Sequence, residues 1–152
     1  MIVYRFKVAL FYDKRTYRQI DVLGSQTLED LHKTIFTAFD RYDEHLYSFF
    51  LTREPQKSIN KIYNAPEYSE PCFDDDNPFL KRKEKFDATK TKIDFLELSE
   101  KDRMYYLFDF GDEWWHEITL LSMYKTEKIS GYPKIIKKVG DSPDQYPDYD
   151  EE

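Results

Sequence analysis

The run Tyr105–Leu121, YYLFDFGDEWWHEITLL, constrains the fold of this chain more than any other stretch. Two strand-forming segments, Met104–Phe110 and Trp114–Leu121, flank a Gly111-Asp112 pair. Aromatic and branched residues on either side of such a pair predict a β-hairpin. With a two-residue loop, Asp109 faces Trp114, Phe108 faces Trp115 and Leu107 faces His116. Tyr105, Leu107, Asp109, Trp114, His116, Ile118 and Leu120 then share one face, the more aliphatic one and the expected core side. Asp109 and His116 lie diagonally on it, with backbones roughly 7–8 Å apart. A three-residue loop would shift the register by one and separate them.

A chain of 152 residues fits one domain with a core of its own. Aromatic residues make up 18% of it, nearly all Tyr and Phe, so the core should be ring-rich with hydroxyls at its edge. The single Cys72 cannot form an internal disulfide, which favours a reducing compartment. Without a long apolar run or a basic-then-apolar leader, a soluble cytoplasmic protein with no membrane partner is expected. Six acids and no Lys or Arg lie between Gly140 and Glu152, and they account for most of the net charge of −7. An acidic tail works against strong phosphate binding and leaves a near-neutral body.

Ile2, Tyr4, Phe6, Val8 and Leu10 alternate with Arg5 and Lys7, the pattern of a half-buried strand. A polar turn and a second strand, Tyr17–Leu23, complete a hairpin. Thr27, followed by Glu29 and Asp30, starts a helix that runs to about Arg41, with an apolar stripe of Leu28, Leu31, Ile35 and Phe39. His45–Thr52 reads as a third strand. From residue 53 to 86 periodicity fails among prolines and acids, giving a long irregular connection with one short element near Ile59–Tyr63. Ile93–Leu98 reads as a short helix or turn, and the lysine-rich segment after the hairpin as a basic stretch. The expectation is one α+β domain over residues 1–139, followed by an irregular acidic tail over 140–152. Its sheet would be mostly antiparallel, of about five strands, with the main helix packed on one face.

No phosphate-cradling glycine loop, nucleophile elbow or paired-histidine helix is present. The candidate site residues are His32, His45 and His116, with Asp109, Asp112 and Trp114. Three imidazoles and a carboxylate are a donor set for zinc or iron. The simpler reading makes Asp109 a turn cap that orients His116, and no cofactor is implied.

Tyr106–Ile118 resembles the signature of the plasmid pRiA4b ORF-3-like family, which runs approximately Y-x-Y-D-F-G-D-x-W-x-H-x-I. Thr27–His32, His45–Phe50 and Tyr132-Pro133 also have counterparts in it, so the resemblance covers most of the chain. All three histidines fall on motif positions, which strengthens them as candidates. Many members carry a Cys-containing tail with a glycine pair after the Tyr-Pro; Gly140–Pro147 here has neither. The resemblance implies an α+β fold and a link to mobile elements, and it carries no activity. The leading functional expectation is a small binding or adaptor module of unknown partner. The second is a nucleic-acid accessory protein of a plasmid or transposon, using Arg5, Lys7, Arg15, Lys81, Arg82 and Lys83. The third is a metal-dependent enzyme centred on His116.

Overall fold

The structure, a computed structural model, describes residues 1–71 and 85–146. The period-two alternation of β1 (Ile2–Leu10) sends Tyr4, Phe6, Val8 and Leu10 into the main core. Antiparallel to it, β2 (Asp13–Leu23) adds Ile20 and Val22 to the same side. The helix α1 (Leu28–Ala38) opens with a full capping box. Asp30 N donates to Thr27 Oγ1 at 3.2 Å, and Thr27 N donates to Asp30 Oδ2 at 2.9 Å. Leu28, Leu31, Ile35 and Ala38 then face the sheet, and His32 is buried beside them.

The chain continues through β3 (Tyr47–Arg53), the five-residue α2 (Ile59–Tyr63), β4 (Glu67–Ser69) and β5 (Lys85–Asp87). A 3-10 turn at Ile93–Leu96 leads into β6 (Arg103–Phe108), β7 (Trp114–Lys125) and β8 (Lys134–Val139). The sheet order is β5-β4-β3-β6-β7-β1-β2-β8, and only the β4–β5 pair is parallel. α1 covers one face; Phe50, Ile62, Tyr105, Leu107 and Trp115 form a smaller core on the other, where α2 packs.

This corrects the expected α+β fold of about five strands. Among the described residues the molecule is mainly one eight-stranded sheet, with a single helix of appreciable length. The unforeseen strands are β4, β5 and β8. The first two have three residues each, too short to show a period, and lie in the stretch assigned to an irregular connection. β8 is an edge strand carrying Lys134, Lys137 and Lys138, so it reads as a basic segment. Lysines on an edge protect it from pairing with other chains.

The hairpin register is also corrected. Phe108 pairs with Trp114, Leu107 with Trp115 and Tyr106 with His116, so residues 109–113 form a five-residue loop. Asp109 leaves the strand in the left-handed region (φ 65°), as does Glu113 (φ 53°). Its Oδ1 accepts from the amides of Gly111 at 3.0 Å and Asp112 at 3.3 Å. An aspartate can take this conformation because its carboxylate satisfies the turn's own amides. The slip places Tyr106 and Phe108, not Tyr105 and Leu107, on the α1 side with Trp114 and His116.

Cys72, Lys81, Arg82, Lys83 and the tail beyond Tyr146 fall outside the described residues. Within them, no helix is long and apolar enough to cross a membrane.

Candidate functional site

Four segments meet at one end of the sheet. Leu10 pairs with His116 and Tyr47 with Phe108, so the β1–β2 turn, the α1–β3 loop and the β6–β7 loop share that end. The residues after β8 are tied across the α1–β3 loop. Ser142 Oγ donates to Phe39 O at 2.7 Å. Gln145 is almost wholly buried: its Oε1 accepts from the amides of Tyr42 and Asp43 at 2.9 and 3.1 Å, and its Nε2 donates to Asp43 O at 2.8 Å.

At the centre of this end lies Arg41, 7% exposed. Its guanidinium carbon is 5.1 Å from the ring centre of Phe108, 5.2 Å from Phe39 and 5.4 Å from Trp114. Nη2 donates to His116 Nε2 at 2.8 Å, while His116 Nδ1 lies 3.1 Å from the carbonyl oxygen of Tyr106. Those partners specify the tautomer: Nδ1 carries the proton and Nε2 accepts. Burial, then the charge of Arg41, holds the His116 imidazole well below its ordinary range, so it stays neutral. Burial also pushes the Arg41 guanidinium down to about 10, which leaves it charged at neutral pH.

His32 belongs to a second chain of polar contacts. Its ring stacks on Tyr47 with centroids 3.7 Å apart. Its Nδ1 lies 2.6 Å from the Tyr106 hydroxyl and its Nε2 lies 3.3 Å from Glu44 Oε2. The carboxylate requires a donor, so Nε2 carries the proton and Tyr106 donates to Nδ1. Burial pushes His32 down to about 3, with Lys33 and Arg41 adding to the shift. His45 is the accessible imidazole: Tyr146 Oη lies 2.7 Å from its Nε2, and Asp109 Oδ2 lies 3.5 Å from the same atom.

His32 borders both Tyr106 and Phe108, His116 borders Tyr106 and His45 borders Phe108, while their nitrogens face separate partners. Asp109 and His116 do not bond each other; Asp109 caps its own turn and meets His45. Among the described residues no three His, Cys, Asp or Glu side chains are grouped to hold a metal ion. The His116 Nε2 that would bind one is taken by Arg41. Sequence reasoning missed Arg41 and Gln145. Nothing in their local pattern marks them, because Arg41 reads as a solvated helix end and Gln145 as part of a polar tail.

Two clefts open nearby. One, of about 530 Å³, lies between the β1–β2 turn, the hairpin loop and the 143–146 segment. Tyr12, Trp114, Trp115 and Tyr146 supply aromatic walls, and Asp13, Asp112 and Glu113 supply carboxylates. The other, of about 550 Å³, is polar and bordered by Glu29, His32, Glu44, His45 and Glu70. Of the residues proposed for nucleic acid, Arg5, Lys7 and Arg15 are described, and each has a local partner. Arg5 makes two bonds to Asp21 at 2.9 and 3.0 Å, Arg15 pairs with Asp13 at 3.1 Å, and Lys7 lies over the Tyr17 ring.

The family model described as plasmid pRiA4b ORF-3-like protein matches residues 2–146. No curated protein matches the chain. Among solved structures it is similar to a protein of unknown function, MM3350, from Methanosarcina mazei Go1. That likeness has 20% sequence identity and a TM-score of 0.68, over 95% of this chain and 72% of the other. It speaks for the fold alone.

Proposed function

The chain belongs to the plasmid pRiA4b ORF-3-like family, and within that family we propose that it is a binding module. Its recognition site is the loop-bearing end of the sheet, and it takes a cationic group of its partner, an amine or guanidinium. The observation that carries this is the aromatic and acidic lining of the 530 Å³ cleft. Trp and Tyr faces attract a cation through their quadrupoles, and the carboxylates of Asp13, Asp112 and Glu113 add direct charge. Tyr12, Tyr42 and Phe110 stand exposed around the same end, extending an apolar rim for a polypeptide partner. The Arg41 guanidinium lies against the Trp114 ring, 5.4 Å from its centre.

Both tryptophans wall this cleft, so intrinsic fluorescence reports on it directly. The probe is an acetylated, amidated Arg-Gly-Arg peptide, with Glu-Gly-Glu as control. Saturable quenching by the first alone is expected, weakened about tenfold by Asp112→Asn combined with Glu113→Gln. No response to the basic peptide at low salt would sink the reading.

A second reading has one specific support. Lys7 Nζ lies 4.5 Å and Lys137 Nζ 6.0 Å from the ring of Tyr17, on the sheet face away from α1. Lysines interleaved with an aromatic ring suit single-stranded nucleic acid, the partner expected of an accessory protein on a plasmid or transposon. Binding of a single-stranded oligonucleotide that weakens steeply with salt, and is lost on Lys7→Ala with Lys137→Ala, would favour it.

A further inference from the structure

Among the described residues two arginines are buried, and their protons are satisfied differently. Arg18 donates to the carbonyls of Ala38, Tyr17, Val139 and Gly140 at 2.8–3.0 Å. Arg41 bonds His116 through Nη2, while its buried Nη1 has no acceptor. The indole Nε1 of Trp114, a wall of the same cage, is also buried and without an acceptor. Ring faces stabilise the guanidinium charge without accepting its in-plane protons. Among the described residues no carboxylate acts on Arg41. A buried cation with an idle donor beside a second idle donor is costly unless something accepts from both.

We propose that Arg41 and Trp114 form a carboxylate-binding site, reached from the aromatic cleft past Trp114. The stoichiometry selects the ligand class. One positive charge and two N–H donors match the single negative charge and two oxygens of a carboxylate. A water molecule would satisfy the donors and leave the charge without a counterion. Phosphate would bring further charged oxygens against Phe39 and Phe108, where nothing donates to them. Trp114 serves both sites, since it lines the cleft and takes the guanidinium of Arg41. This inference stands on the donors inside the cage and is independent of the cation reading of the cleft.

The test uses the full chain labelled with nitrogen-15. Its two indole N–H signals are assigned with Trp114→Phe, which keeps a ring and removes the donor. Sodium acetate is titrated, with acetamide, sodium chloride and sodium phosphate as comparators at matched ionic strength. The expected result is a saturable shift of the Trp114 indole signal in acetate, absent in acetamide and chloride and much smaller in phosphate. Acetate should also raise the melting temperature of the wild type and of Trp115→Phe, and leave that of Trp114→Phe unchanged. A Trp114 signal that does not respond to acetate, or responds equally to acetamide or chloride, would overturn the proposal. The wild-type titration decides the matter even where a variant fails to fold. Quenching by the basic peptide is a separate readout, so either proposal can fail alone.

Discussion

Arg41 donates from Nη2 to Nε2 of His116 across 2.8 Å, joining the loop after α1 to the start of β7. The bond fixes a neutral histidine whose other nitrogen is committed to the Tyr106 carbonyl. His116 is thus the acceptor that makes a buried guanidinium tolerable in this cage.

His116→Ala should therefore destabilise the fold by about 3–5 kcal/mol. It opens a cavity beneath Phe39 and leaves a second guanidinium nitrogen without an acceptor. Urea denaturation gives the value, and the wild-type melting temperature should not move on addition of a chelator. A His116→Ala protein as stable as the wild type would mean that the pair contributes nothing.

Asp109 should tolerate Asn far better than Ala. Asn keeps an acceptor for the Gly111 and Asp112 amides and adopts φ near 65° readily. Ala loses the acceptor and is strained in that region, at a cost of about 1–2 kcal/mol. Thermal melts of the two variants compare them directly, and equal melting temperatures would remove the capped-turn explanation of the register.

Stability should fall as the solution is acidified from pH 6.5 towards 5. The folded-state value of His32 is about 3 against an ordinary 6.5, so across this window the unfolded chain binds a proton that the folded chain refuses. His116, also held well below its ordinary range, acts in the same sense. Each contributes a slope of up to ~1.4 kcal/mol per pH unit, with stability rising with pH. Unfolding free energies of wild type and His32→Gln at several pH values test this. A variant with an unchanged slope would show that His32 titrates normally in the fold.

Gln145→Ala should release the 142–146 segment from the α1–β3 loop. Three hydrogen bonds to the Tyr42 and Asp43 backbone are lost, at about 1–3 kcal/mol in total. Hydrogen exchange at the Tyr42 and Asp43 amides should quicken severalfold while the β7 amides stay protected. Unchanged exchange at both positions would mean that the segment is held by something other than Gln145.

The alternation of Tyr4 with Phe6, Val8 and Leu10, and the signals at Thr27 and Asp30, are local, so β1 and the start of α1 could be read directly. Gln145 and Tyr146 could not be read in this way. Their partners Tyr42, Asp43 and His45 lie a hundred residues away, and only the completed sheet brings them together.

By itself the sequence determined an aromatic hairpin and a capped helix with one apolar stripe. Periodicity and capping act within a few residues, and those features need nothing more. Only the tertiary structure decided which rings of β6 face the helix, because the left-handed Asp109 shifts the register and reverses every side chain of the strand. The same shift seats Phe108 beside Arg41 and Tyr106 between His32 and His116. A cation deep in a cage of rings, with no carboxylate partner among the described residues, is a property of packing, and no local pattern records it.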